Sequence, residues 1–200
     1  MSHYFTNDNN LVSETRELTY KYDSFSFTFL SDNGVFSKKY LDFGSKLLLE
    51  TYLKNETESL KVLDVGCGYG FIGAVISVVN GSYVDMIDVN KRAVHLAKRN
   101  TKKLKGFNGS VFESDAYENV NDRYDIVITN PPIRVGKEKV LEILLGAFDH
   151  MNDNGRLYFV IRKDQGALSV KKRLEENKCE IETINKDKGY FIYRAIRKNN

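Results

Sequence analysis

The sequence predicts an open α/β fold: a mostly parallel seven-stranded sheet with helices on both faces, an antiparallel C-terminal hairpin and a small N-terminal β-hairpin. Three observations predict it. The β-branched apolar run Val62-Leu-Asp-Val65 passes through Gly66, Gly68 and Gly70 into the helical spacing of Phe71, Ile72, Val75, Ile76 and Val79. Four further short apolar runs then alternate with helical patterns, as parallel strands joined by crossover helices do. Finally, Cys179–Ile184 and Tyr190–Ile196 are separated only by Lys186-Asp-Lys-Gly189, too short for a crossover helix, so this last pair must run antiparallel.

Taken in order, the segment 1–12 is polar and Asn-rich, the composition of a loose terminus. Leu18-Thr-Tyr-Lys-Tyr22 and Phe25-Ser-Phe-Thr-Phe29 alternate apolar with polar around Asp23-Ser24, which reads as a hairpin with one buried face. Its aromatics either pack beneath the hairpin or offer faces to nucleobases. Ser31-Asp-Asn-Gly-Val-Phe-Ser37 is a loop by composition. A helix over 41–54 follows, with Leu41, Leu48, Leu49, Tyr52 and Leu53 on one face and Asp42 in its first turn, where a carboxylate is favoured. Glu56 to Ser59 link it to the central strand.

Beyond the glycine turn and its helix, Gly81 restarts a strand, Ser82–Asp88, and Asn90 opens a basic-faced helix over Lys91–Lys103. A short strand at Ser110-Val-Phe112 leads to Ser114-Asp115-Ala116, and Tyr124-Asp-Ile-Val-Ile128 runs into Thr129-Asn130-Pro131-Pro132-Ile133, which holds the only prolines. Val140, Leu141, Leu144, Leu145 and Phe148 mark a helix ending near Met151, with Asn152-Asp-Asn-Gly155 as its stop. Leu157–Ile161 is the next strand, followed by Arg162–Ala167 and a helix through about Glu176. The whole chain reads as one domain, with a hairpin and loop over 1–40 and the core over 41–200.

Composition narrows the class. With 42% apolar and 28% charged residues, no secretory signal and no apolar run of membrane-spanning length, a cytoplasmic protein without a membrane partner is expected. Two cysteines, Cys67 and Cys179, make neither a disulfide framework nor a metal cluster, and His3, His95 and His150 lack ligand spacing, so no metal is expected. A net charge of +3 neither demands nor excludes a polyanionic partner; basic clusters beside a site carry more weight than the total.

Strand, glycine turn and helix form a unit suited to nucleotides, because glycines let the backbone approach a ligand and the helix start offers unpaired N–H groups. The same glycines also suit a turn that is merely tightly packed. A dinucleotide fingerprint would need glycine where Phe71 stands, which counts against NAD. With Asp64 before the glycines and Asp88 closing the next strand, the stretch instead resembles the Asp-x-Gly-x-Gly-x-Gly signature of class I S-adenosylmethionine-dependent methyltransferases, whose fold is Rossmann-like. Asp88 stands about twenty residues on, where such folds place an acid to accept ribose hydroxyls. Asp115 either reads an adenine amine or caps the next turn.

Ligands in open α/β sheets lie outside the carboxyl ends of the strands. The glycine turn, Asp88, Asp115 and Asn130 all fall at such ends, so they converge on one crevice. Asn130-Pro131-Pro132 suits methylation of an amine whose lone pair is delocalised: the asparagine side-chain oxygen and the Pro131 carbonyl accept the two amine hydrogens as positive charge develops on nitrogen. The prolines hold these acceptors rigid and supply no competing donor.

Together, Val62–Gly73, Asp88, Asp115 and Asn130-Pro-Pro-Ile133 resemble class I methyltransferases acting on exocyclic or amide nitrogen. Asn33-Gly-Val-Phe-Ser37, Leu41-Asp-Phe-Gly-Ser-Lys-Leu-Leu48 and Lys163-Asp-Gln-Gly-Ala167 extend the resemblance, over nearly the whole chain, to the catalytic domain of the small-subunit (16S) ribosomal RNA guanine-N2 methyltransferases. That resemblance implies S-adenosylmethionine as cofactor and 16S ribosomal RNA or the small subunit as partner. It places Asp64, Gly66, Cys67, Gly68 and Gly70 around the methionine part, Asp88 and Val89 at the ribose, and Asp115 and Ala116 at the adenine. Asn130, Pro131, Pro132 and Ile133 would form the catalytic element. Phe36, Ser37, Asp42, Arg134, Lys137 and Lys163 would lie on the substrate side, although Phe36, Ser37 and Asp42 equally fit a simple helix-entry role.

The chain departs from that family in two respects. Ile133 stands where an aromatic usually stacks on the base, leaving Phe36 or Arg134 to supply stacking. Members of the RNA group also carry an extra N-terminal half, whereas here a hairpin precedes the core, which leaves the RNA target open. Methylation of a protein glutamine amide or of adenine N6 poses the same acceptor problem, and a non-catalytic RNA- or nucleotide-binding module is the reading from another class.

Overall fold

A computed structural model describes residues 14–32, 40–132 and 135–198. Phe36, Ser37, Ile133 and Arg134 lie outside the described residues. The chain begins with β1 (Arg16–Tyr22) and β2 (Phe25–Ser31), followed by α1 (Phe43–Asn55), β3 (Lys61–Val65), α2 (Phe71–Asn80), β4 (Tyr83–Asp88) and α3 (Lys91–Lys102). It continues through β5 (Gly109–Glu113), β6 (Tyr124–Thr129), α4 (Lys137–Gly146), β7 (Met151–Arg162), α5 (Ala167–Glu176), β8 (Cys179–Asp187) and β9 (Tyr190–Arg197).

The seven-stranded sheet has the order β5-β4-β3-β6-β7-β9-β8. Strands β3 to β7 run parallel, and β9 pairs antiparallel with both β7 and β8. Strand order reverses at β3: β4 and β5 extend one way and β6 the other, which opens a crevice above the carboxyl ends of β3 and β6. Period-two alternation divides the core. Val62 faces the cluster built with Leu48, Tyr52, Phe71 and Leu96, while Leu63 and Val65 face the cluster built with Val140, Leu144 and Leu174.

The N-terminal strands form their own two-stranded sheet. Of the two readings of its aromatics, packing is the one found: Tyr20 and Phe29 meet Phe71 edge to face, at 5.0 and 5.7 Å between ring centroids. Asn100 of α3, almost fully buried, fastens this sheet to the glycine turn. Its oxygen accepts from the Leu30 N–H at 2.8 Å, and its amide donates to the carbonyls of Leu30 (2.9 Å) and Tyr69 (2.8 Å).

Two expectations are corrected. Asp42 lies before α1 as its N-cap, accepting from the Ser45 N–H at 2.7 Å, because a carboxylate there satisfies a donor with no intrahelical partner. Asn152–Gly155 is no inter-element stop. After α4 and a 3-10 turn at Ala147–His150, β7 already starts at Met151, and these residues bulge out between the pairs Tyr124–Met151 and Ile126–Arg156. Asn154 takes a left-handed φ of 64°, and a Cβ at Gly155 would lie 2.8 Å from that of Met151, so turn-forming residues serve a bulge within a strand.

Candidate active site

Register brings the site together. Val65 at the end of β3 pairs with Ile87 on one side and Thr129 on the other, so Gly66, Asp88 and Asn130 leave three adjacent strands side by side, about 5 Å apart from strand to strand. The Thr129 hydroxyl locks the β3–β6 end by donating to the Val65 carbonyl at 2.8 Å.

The glycine turn folds down over β4. The N–H groups of Gly66 and Cys67 both reach the Ile87 carbonyl at 2.9 Å, and that of Gly68 reaches one Asp88 carboxylate oxygen at 2.9 Å. The other Asp88 oxygen accepts from Asn90 N–H at 2.8 Å, and Asn90 in turn caps α3. Asp88 is thus buried and engaged with the turn. Asp64 lies beneath the turn, 1% exposed, accepting from the Gly73 N–H at 2.9 Å. Burial, with a smaller contribution from Asp88, pushes its carboxyl up to about 7 against that hydrogen bond. Cys67 faces the core, and burial pushes its thiol up, which keeps it protonated and unreactive.

Gly66 is the exposed member of the turn. A Cβ there would meet no atom within 4 Å, and its φ is +73°. Open space beside a glycine, the buried Asp88 carboxylate and a partly exposed Val89 just beyond β4 suit a ligand bearing ribose hydroxyls. At the next strand end, Ser114 does the capping: its hydroxyl accepts from the Asn119 N–H at 3.1 Å and donates to the carbonyl of Ala116, which holds a left-handed φ of 45°. Asp115 leaves its carboxylate exposed at the rim.

Asn130 is held by two side chains of another element. Its amide donates to Asp42 Oδ2 at 3.0 Å and to Ser45 Oγ at 2.8 Å. A carboxylate only accepts, so Asp42 decides which end of the carboxamide faces α1, and the side-chain oxygen is turned away from both partners. Asn130 is partly exposed, Pro131 is buried, and the Pro132 carbonyl closes a turn with the Val135 N–H at 3.2 Å. Lys137 and Lys163 are exposed, and the Lys137 stem passes the Gly166 position.

Ser45 escaped the sequence reading, although Asp42-Phe-Gly-Ser45 carries a helix-start spacing that signals it. Asn100 carried no such signal, since its three contacts come from distant segments. Among the described residues no group of three or more His, Cys, Asp or Glu is placed to hold a metal, and no helix is long and apolar enough to cross a membrane.

The model of the methyltransferase small domain matches residues 26–194. The chain belongs to the methyltransferase small domain family. Its cofactor is S-adenosylmethionine, and the open space at Gly66 between Asp88 and Asn130 fits such a group. An uncharacterised protein, YbxB, of Bacillus subtilis (strain 168) is 40% identical over 96% of this chain and 97% of its own length. Ribosomal RNA small subunit methyltransferase C of Klebsiella pneumoniae is 35% identical over 90% of this chain, which spans 55% of that relative. This methyltransferase small domain thus covers about half the length of the ribosomal RNA methyltransferases it matches. Among solved structures, the 16S rRNA N2 G1207 methyltransferase RsmC of T. thermophilus, in complex with AdoMet and guanosine, superposes with a TM-score of 0.81 at 22% identity, over 94% of this chain and 52% of that one. A ribosomal protein L11 methylase from Lactobacillus delbrueckii subsp. bulgaricus gives 0.68 at 16% identity, over 81% and 86%.

Proposed function

We propose that this methyltransferase acts on the exocyclic N2 amine of a guanine in 16S ribosomal RNA. The observation that carries the reading is the clamped carboxamide of Asn130. With both amide hydrogens engaged by Asp42 and Ser45, its oxygen is the end offered to a substrate, one strand from Gly66. Similarity to the ribosomal RNA methyltransferases supports the choice of substrate.

Bound S-adenosylmethionine supplies an electrophilic methyl group on a sulfonium. The chain's own residues do the rest. Gly66 to Gly70 receive the methionine part, with Asp64 bracing the turn from below; Asp88 and Val89 receive the ribose, and Asp115 and Ala116 the adenine. The Asn130 oxygen and the Pro131 carbonyl accept the two amine hydrogens, which turns the nitrogen lone pair toward the methyl group and stabilises the positive charge that develops. No strong base is needed, because the nitrogen becomes acidic once it is methylated. Lys137 and Lys163 face the backbone phosphates, while Phe36, Ser37, Ile133 and Arg134 are assigned to the substrate side on family resemblance alone.

The test supplies labelled S-adenosylmethionine with small-subunit RNA, and with particles from a strain lacking the modification, then digests the product to nucleosides. N2-methylguanine is expected. Label in N6-methyladenine or in a protein glutamine redirects the assignment, and no label in any substrate rejects it. Asn130→Ala should retain cofactor affinity and lose about 10²–10³-fold in kcat, the scale for removing one transition-state hydrogen-bond partner.

A further inference from the structure

Antiparallel β9 enters the sheet at the carboxyl edge of the parallel strands. Tyr190, its first residue, pairs with Arg162, the last of β7, three positions beyond Phe159, which pairs with Thr129. At a strand rise of about 3.3 Å per residue, the β8–β9 turn stands about 10 Å above the level of Asn130. The Lys163 N–H fastens it there by donating to the Gly189 carbonyl at 2.8 Å.

This overhang carries rings and cations together. A Cβ at Gly44 would lie 2.8 Å from the Tyr190 ring and 3.2 Å from Asp42 Oδ2, the oxygen that clamps Asn130, so the ring adjoins the catalytic clamp. Phe43 packs on Tyr190 at 5.4 Å, the Arg162 guanidinium lies 5.4 Å from the Tyr190 centroid, and Lys188 Nζ lies 4.7 Å from that of Phe43. Both rings are partly exposed, and Lys163 and Lys188 are exposed. The acids of this edge are Asp42, engaged by Asn130, Asp164, paired with Arg162 at 2.9 Å, and Asp187, against the cations Arg162, Lys163 and Lys188. Rings interleaved with cations beside a catalytic crevice are what grooves for single-stranded nucleic acid use, stacking bases while neutralising phosphates.

We propose that Phe43, Arg162, Lys188 and Tyr190 form the surface that binds the unpaired nucleotide adjoining the target, its base stacked on the Tyr190–Phe43 rings and its phosphate held by Lys188 and Arg162. The proposal rests on the RNA methyltransferase reading.

The test measures binding of a fluorescein-labelled, unstructured RNA of about ten nucleotides to the full chain. Arg162→Glu/Lys188→Glu should weaken it about tenfold or more and lower the slope of log Kd against log salt by about 1 to 2. Tyr190→Leu, which keeps bulk over Gly44, should weaken it about fivefold or more with the slope unchanged. A charge-matched control, Lys102→Glu/Lys103→Glu at the far end of α3, should stay near wild type, and all variants should bind S-adenosylmethionine normally. In the transfer assay the rim variants should raise KM for RNA and spare kcat. Equal losses in the control pair, or unchanged RNA binding in the rim variants, would overturn the proposal. Rim-dependent RNA binding without methyl transfer to RNA would sink the functional reading and leave the rim standing.

Discussion

Asn130 owes its orientation to two side chains on another element, Asp42 and Ser45 at the start of α1. Ser45→Ala removes one acceptor and leaves the helix cap intact. It should lower kcat about tenfold, roughly the 1.4 kcal/mol of one hydrogen bond, with KM for S-adenosylmethionine unchanged; steady-state methyl transfer checks this, and an unaltered kcat would mean that the clamp is dispensable. Asp64 poses the opposite electrostatic problem. Its folded carboxyl keeps its proton up to about pH 7, whereas an unfolded aspartate releases it near pH 3.9. Between those values the folded state binds more protons, so this group's contribution to stability falls as pH rises from about 4 to 7 and is level above. Asp64→Asn keeps an acceptor for the Gly73 N–H and removes the charge. Relative to wild type it should gain about 2 kcal/mol between about pH 5.5 and pH 8, read by urea unfolding at both values. A pH-independent difference would place the titration elsewhere.

The glycine turn is held as an element from three sides: by the Ile87 carbonyl, by the Asp88 carboxylate and, through Tyr69, by Asn100. Asn100 also pairs with both main-chain polar groups of Leu30, so one side chain joins the N-terminal sheet, α3 and the glycine turn. Asn100→Leu would strand one buried and two partly buried backbone groups and should destabilise the protein by about 2–4 kcal/mol. Because one of those groups belongs to the turn, cofactor affinity should fall as well. Chemical denaturation and calorimetric titration measure the two effects; a stability loss at full affinity would show that the turn stands without this tie. At the other end of α1, Glu56 accepts a two-point contact from Arg156 (2.8 Å each) and a bond from the Tyr158 hydroxyl, which fixes the helix against β7 and so fixes the clamp at its beginning.

Across the whole molecule, the crevice lies where β3, β4 and β6 end together, so a ligand there bridges both halves of the sheet. S-adenosylmethionine at about a hundred times its Kd should stabilise the fold by about 2.7 kcal/mol, or about 5–10 °C in Tm for a chain of this size. Thermal unfolding with and without cofactor tests this, and no shift at any concentration would remove the crevice as its site. Strand–glycine–helix spacing, the crossover pattern and the short final connection were all readable in the sequence, because each is a local consequence of side-chain periodicity or of chain length. The polar residues at the strand ends were readable for the same reason. Asp42's partnership with Asn130, the bulge at Asn152–Gly155, the pinning by Asn100 and the overhang of Tyr190 and Lys188 above the crevice were not. Each depends on which distant segments meet and in what register. The sequence alone therefore determined the order and kind of the elements and the chemistry available at their ends; tertiary structure alone decided which groups face one another, because a hydrogen bond between segments 85 or 88 residues apart leaves no periodic trace in the chain.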